Sequence, residues 1–302
     1  MKILVTGGTS KLGSRFIEYA KIIGFDVIGI NLHLPFQNNK LDLRDQGKVN
    51  EFFQDMRPDY IVHCAALSNA DACEIDKENC DKTNTSATKF LAKACSMVDG
   101  RMISLSSDYV FDGKNGPYSE SDPTHPINEY GKAKLTGENM LSKWCLDSLS
   151  IRSCVLYDWN VRPRRENFLV WLIEKLRSNE RVKIVDDQYA TPTFIPQLVE
   201  VIIDLLQSDY RGVINVSGSE WLSRYEFSVK AADIFGLDRS LITRSDSCEF
   251  TQEALRPLKG GLKVDRIEKI LGLKMYSCDE GLRICKRIKN GKLRGNEWPI
   301  KK

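Results

Sequence analysis

The chain has 302 residues, 42% of them hydrophobic and 28% charged, with a formal net charge of +3. That length buries a sizeable core in one large domain or two, and the composition is that of an ordinary globular protein. The charge balance gives no case for nucleic acid, no apolar run is long enough to span a membrane, and the nine cysteines form no C-x-x-C pair or Cys/His zinc cluster.

Scattered cysteines in apolar surroundings, such as Cys64 and Cys95, read as small core residues in a reducing cytoplasm, with no metal site. The N-terminal apolar run is short and ends in glycines, so it is not a signal peptide. The basic residues of the last twenty, from Arg283 to Lys302, read as a solvated helix face and tail.

Lys2–Thr6 is a short apolar strand. Gly7-Gly8-Thr9-Ser10-Lys11-Leu12-Gly13 follows, and then an amphipathic helix running to Gly24. Strand, glycine turn and helix in this order point to a dinucleotide site. Gly7 allows the turn, Gly13 the close helix packing, and the helix N-terminus faces a pyrophosphate. Asp26–Ile30 is the second strand. It ends in Asn31, with His33 beyond, where an acid would favour NADH by binding the ribose 2′-hydroxyl. With Lys11 in the turn, NADPH is expected over NADH. Leu41-Asp42-Leu43 reads as a third strand, with Asp42 and Leu43 at the adenine edge.

Gln46–Met56 reads as a helix, Asp59–Ala66 as a strand ending in the small residues Ala65 and Ala66, and Asn79–Met97 as a long helix. The next strand carries Ser106 and Ser107, followed by Asp108. A Gly/Pro/Asn/Asp-rich loop, Asp112–Glu129, is placed to shape a substrate entrance. Tyr130 and Lys134 then stand four apart, on one face of a helix. Of ten tyrosines only Tyr130 has a lysine four residues on. A neighbouring ammonium favours the phenolate, so Lys134 is expected to lower the Tyr130 pKa. A strand at Leu149–Leu156, a helix at Asn167–Ser178, a strand at Val182–Val185, a helix at Phe194–Gln207 and a strand at Val213–Val216 follow. Short helices complete the chain.

Alternating strands and helices imply an α/β fold, a doubly wound parallel Rossmann-like sheet with a smaller, mostly helical substrate domain. The dinucleotide domain is expected at 1–156 plus 192–217 and the substrate domain at 157–191 plus 218–302. The glycine turn, Ala65-Ala66 and Ser107 all fall at the carboxyl edge of the sheet, where such folds bind ligands.

Four stretches carry a resemblance: Ser106-Ser107-Asp108-Tyr109-Val110-Phe111-Asp112-Gly113, Pro126-Ile127-Asn128-Glu129-Tyr130-Gly131, Asp187-Gln188 with Pro192-Thr193, and Arg256-Pro257. The chain from Lys2 to about Ile270 resembles the extended short-chain dehydrogenase/reductases, and more narrowly the dTDP-4-dehydrorhamnose reductase family. The resemblance implies an NAD(P)-dependent oxidoreductase acting on a CH-OH/C=O group of a nucleotide sugar. It makes Tyr130 the proton donor, Lys134 the residue that holds the nicotinamide ribose, and Ser107 a hydroxyl on the carbonyl. Asp108, Arg152, Asn167, Phe168 and Arg256 become candidates for substrate contacts. Two departures stand out: Ser10 replaces the middle glycine of T-G-x-x-G-x-x-G, with a hydroxyl that could donate to the pyrophosphate, and Val155 stands where the family carries Trp. A nucleotide-sugar epimerase and a non-catalytic subunit resembling the beta subunit of methionine adenosyltransferase are the alternatives. The sugar, the nucleotide and the oligomeric state, a homodimer among the options, stay open.

Overall fold

Ile3, Leu4 and Val5 have no solvent exposure, so the first strand is apolar on both faces, as the centre of a covered parallel sheet requires. The computed structural model of the protein describes residues 1–32, 40–159 and 167–293. His33, the Arg162–Arg165 stretch, Arg294, Lys301 and Lys302 lie outside the described residues.

The first half runs β1 (Lys2–Thr6), α1 (Lys11–Ile22), β2 (Asp26–Ile30), α2 (Gln46–Met56), β3 (Tyr60–His63), α3 (Ala70–Ile75), α4 (Lys77–Cys80), a π-helical turn (Asp81–Ser86), α5 (Ala87–Met97), β4 (Arg101–Ser107) and α6 (Glu129–Trp144). Then come β5 (Ser148–Ser153), β6 (Leu156–Tyr157), α7 (Phe168–Arg177), β7 (Val182–Val185), β8 (Tyr189–Ala190), β9 (Thr193–Phe194), α8 (Ile195–Leu206) and β10 (Gly212–Asn215). The chain finishes with β11 (Leu222–Ser223), α9 (Arg224–Phe235), β12 (Ile242–Ser245), α10 (Asp265–Leu271) and α11 (Cys278–Lys289).

The main sheet is six-stranded, in the order β10-β5-β4-β3-β1-β2, and every pairing is parallel. The order reverses between β1 and β3, which opens a crevice at the carboxyl edge. Phe16 and Ala20 of α1 and the apolar face of α8 pack with β1, β5 and β10 in one core. Leu91, Ala92 and Cys95 of α5 and Leu141 of α6 cover the other face. A separate apolar cluster unites Tyr157, α7, β7, α9 and α11 around Phe227.

Three expectations change. Leu41–Leu43 is not a strand: Asn31 and Lys40 make one isolated parallel bridge. The Asp42 carboxylate then takes the Arg44 N–H at 3.0 Å and its guanidinium at 2.8 Å, drawing the backbone into a turn. The strand read as Leu149–Leu156 stops at Ser153, because Val155 adopts φ 43° and sends Leu156 to pair with Thr193 of β9. The long helix is present but carries the π-helical turn at Asp81–Ser86.

Candidate active site

The glycine turn follows from local geometry. Gly7 has φ +64°, and a Cβ there would lie 2.7 Å from the Ala65 nitrogen, so the turn closes against the end of β3 only without a side chain. A Cβ on Gly13 would lie 2.3 Å from the Gly7 carbonyl oxygen, which locks α1 to the turn. Ser10 is the N-cap of α1 and accepts from the Gly13 N–H at 3.0 Å. Its oxygen therefore serves the helix start, and its hydroxyl proton is not used in that cap. Thr9 donates from both its N–H (3.0 Å) and its hydroxyl (2.7 Å) to the Asn31 side-chain oxygen, tying the turn to the end of β2. Lys11 and the buried Leu12 open the helix. Ala65 and Ala66 are partly buried beside the turn. Asp42, expected to meet an adenine, is instead clasped by Arg44, and Leu43 packs partly buried against the α2–α5 core.

Ser107 ends β4 and is 7% exposed. Its oxygen accepts from the Tyr109 N–H at 3.2 Å, and its hydroxyl donates to Asp108 Oδ1 at 3.2 Å. Tyr130 of α6 packs edge to face on Tyr109 of this turn, with ring centroids 5.6 Å apart. Asn128 caps α6, accepting from Gly131 N–H at 2.8 Å, which fixes the helix that carries Tyr130 and Lys134. A Cβ on Gly131 would lie 2.1 Å from the Tyr109 carbonyl oxygen, so only glycine lets α6 approach this close.

The electrostatics differ from the expectation. Burial pushes the Tyr130 phenol above its ordinary range, with the neighbouring Ser107 hydroxyl pulling the other way. Lys134 does not act as the group that lowers it. Its Nζ sits 6.0 Å from the Tyr130 ring centroid and donates to the Leu105 carbonyl at 2.8 Å. Burial pulls the ammonium down to about 8. Desolvation thus outweighs the charge, and the phenol keeps its proton at neutral pH, as a donor must.

Arg152 is not the phosphate ligand expected. It is 4% exposed and forms a bidentate pair with Glu138 of α6, at 2.9 and 2.7 Å. Asn167 is also turned inward: its Oδ1 caps α7 at Val170, and its Nδ2 donates to the Asp158 carbonyl at 2.7 Å. Arg256 and Phe168 do line an open cleft of about 390 Å³, with Trp171, Gln188 and Arg224. Arg256 is held by Asp71 at 2.6 Å, and the Arg224 guanidinium lies 5.3 Å from the Phe168 ring centroid. Sequence reasoning missed Arg224, Trp171 and Asp71. Arg224 begins a helix with a capping box at Ser223–Glu226, a local signal that marks a helix start but not a cleft.

Among the described residues, no group of three His, Cys, Asp or Glu could hold a metal ion, and no helix is long and apolar enough to cross a membrane.

A glycine turn after β1 and a hydroxyl–phenol–lysine group, both at the carboxyl edge of a parallel sheet, make this a Rossmann-like α/β protein. The chain belongs to the RmlD family: the family described as RmlD substrate binding domain matches residues 1–288. It is 29% identical over 283 residues to the spore coat polysaccharide biosynthesis protein SpsK of Bacillus subtilis, covering 93% of this chain and 95% of that one. It is 30% identical to the methionine adenosyltransferase 2 subunit beta of Danio rerio, covering 99% and 91%. The crystal structure of dTDP-4-dehydrorhamnose reductase from Bacillus anthracis in complex with NADP superposes with a TM-score of 0.86 at 26% identity, covering 94% of this chain and 98% of that one.

Proposed function

We propose that the protein is an NAD(P)H-dependent reductase of a nucleotide-linked 4-keto-6-deoxy sugar. One observation carries this reading: the Tyr130 phenol, held protonated by burial, stands beside Ser107 at the sheet edge that the glycine turn also occupies. The turn suits a dinucleotide, since it brings the N-terminus of α1 to the carboxyl edge of the sheet and its glycines keep the backbone open there. The similar reductase bound to NADP supports the same cofactor class. With no acid after β2 and Lys11 in the turn, NADPH is the form proposed.

The cofactor supplies a hydride to the carbonyl carbon. The chain's own residues manage the proton. Tyr130 holds it on Oη and passes it to the carbonyl oxygen. Ser107 presents its hydroxyl beside the same oxygen. Lys134, an ammonium near neutrality, keeps a positive charge near Tyr130 and would hold the nicotinamide ribose. In the cleft, Phe168 and Trp171 offer flat faces for a base, and Arg224 and Arg256 offer guanidinium groups for a diphosphate.

Tyr130→Phe removes one oxygen and keeps the ring. A positioned general acid contributes roughly 10²–10⁴-fold, so kcat should fall by that amount with NADPH affinity little changed. Activity within about a factor of two of wild type sinks the mechanism. A second reading, a regulatory subunit, is favoured by the 30% identity to the zebrafish adenosyltransferase subunit over 99% of this chain. Wild type that binds NADPH yet reduces no nucleotide keto-sugar from a broad panel selects that reading.

A further inference from the structure

His63 is a buried titratable side chain that the chemistry above does not use, and the hydrogen bonds around it run one way. It closes β3, is 2% exposed and stands between two buried threonines. Its Nδ1 lies 2.6 Å from the Thr6 hydroxyl, and its Nε2 lies 3.2 Å from the Thr88 hydroxyl. Thr88 has one proton, and it goes to the Asn84 carbonyl at 2.7 Å. Toward His63 the Thr88 oxygen can therefore only accept, so Nε2 carries a hydrogen. The Thr6 oxygen accepts from the Ala65 N–H at 3.3 Å, and its own proton has Nδ1 as acceptor. His63 is then neutral, with Nδ1 bare. A second proton on Nδ1 would turn the Thr6 proton away from that acceptor. Burial and the Lys134 ammonium act in the same sense, pulling the ring down to about 3.

The path joins the segments that frame the cofactor half of the site. Thr6 precedes Gly7, whose turn packs so closely on Ala65 that a Cβ would lie 2.7 Å from the Ala65 nitrogen. Asn84 sits in the π-helical turn. Its side chain accepts from the Leu67 N–H at 2.9 Å and donates to the Leu67 carbonyl at 3.0 Å. Thr6 thus holds residue 65, Asn84 holds residue 67, and His63 couples the two holds.

We propose that His63, neutral and protonated on Nε2, is a positioning residue for the dinucleotide, setting the Ala65–Leu67 segment against the glycine turn. This rests on the cofactor class proposed above and not on the identity of the sugar. A dinucleotide lying along the turn meets residues 65–67 as its floor, so a drift of that segment weakens binding while Tyr130 keeps its proton.

Thr88→Val keeps the shape of the side chain and removes the acceptor for Nε2–H. A buried donor left unpaired shifts the local geometry, and the NADPH Kd, read by fluorescence titration, should rise about tenfold. Thr88→Ser returns the hydroxyl and should return wild-type affinity. An affinity in Thr88→Val within about a factor of two of wild type overturns the proposal. That holds even where urea shows the fold weakened, because it marks a hydrogen bond that serves stability alone. Heteronuclear NMR of the histidine ring nitrogens in wild type reads the path directly, whether or not the variants fold. Nε2 should be protonated and Nδ1 bare at neutral pH, and an imidazolium or the Nδ1–H tautomer overturns the proposal. Wild type that binds NADPH and reduces no keto-sugar removes the reductase reading and leaves the role of His63 intact. Wild type that binds neither NADPH nor NADH removes both.

Discussion

Replacing Arg152 with methionine separates a structural ion pair from a ligand contact. Both partners are 5% exposed, and the guanidinium gives Glu138 two hydrogen bonds, the shorter at 2.7 Å. Methionine fills much of the volume but leaves Glu138 as a buried charge with the Ser106 hydroxyl as its remaining donor. Stranding one member of a buried pair costs about 3–5 kcal/mol. Replacing both, as Glu138→Leu with Arg152→Met, removes the charge altogether and should recover most of that loss. The shortfall should be about 1 kcal/mol, for the hydrogen bond that Ser106 no longer makes. Urea unfolding followed by tryptophan fluorescence measures wild type and both variants. The reasoning is refuted if Arg152→Met unfolds within about 1 kcal/mol of wild type, the size expected of an exposed pair, while the nucleotide-sugar KM rises. The guanidinium would then serve a phosphate and not Glu138.

Two further outcomes test the cofactor site. Gly7→Val places a branched side chain at φ +64° against the Ala65 backbone and should abolish NADPH binding in a protein whose circular dichroism is unchanged; a folded variant with wild-type NADPH affinity removes the assignment. Asn31→Asp keeps an acceptor for both Thr9 hydrogen bonds, so the turn should survive while the new charge opposes a 2′-phosphate. The ratio of kcat/KM for NADPH over NADH should drop, and a constant ratio shows that the 2′-position lies elsewhere.

The sheet is legible in the sequence because its strands are short apolar runs and its glycines sit where the backbone must close. Ser107, Tyr130 and Lys134 are legible through spacing on one strand end and one helix face. What escapes is whatever depends on a distant partner. Arg152 looks like a free cation until Glu138, fourteen residues earlier, is seen beside it. Asn167 looks like a ligand amide until the Asp158 carbonyl claims it. Asp42 reads as strand because Leu41 and Leu43 flank it, yet its own neighbour Arg44 bends the chain. The Lys134 effect on Tyr130 misleads for another reason: spacing reports proximity, and desolvation, which depends on the whole packed surround, decides the sign.

The Gly261 N–H donates to Asp108 Oδ2 at 3.2 Å, and the strap at residues 257–262 that brings it there has a consequence for the order in which the protein is built. The glycine turn, Ser107, Tyr130 and Lys134 have all been synthesised by residue 134. The ceiling that buries Asp108 comes from Gly260 and Gly261, and the Lys259 and Gly260 carbonyl oxygens would lie 2.3 and 2.2 Å from a Cβ on Gly116 of the entrance loop. Chains fold from the N-terminus as they emerge, and contacts across long loops close late. An emerging chain therefore holds these groups while Asp108 is still open to water. Asp108 stays an ordinary solvated carboxylate until the strap arrives, so the environment that shifts it is among the last parts of the molecule to form.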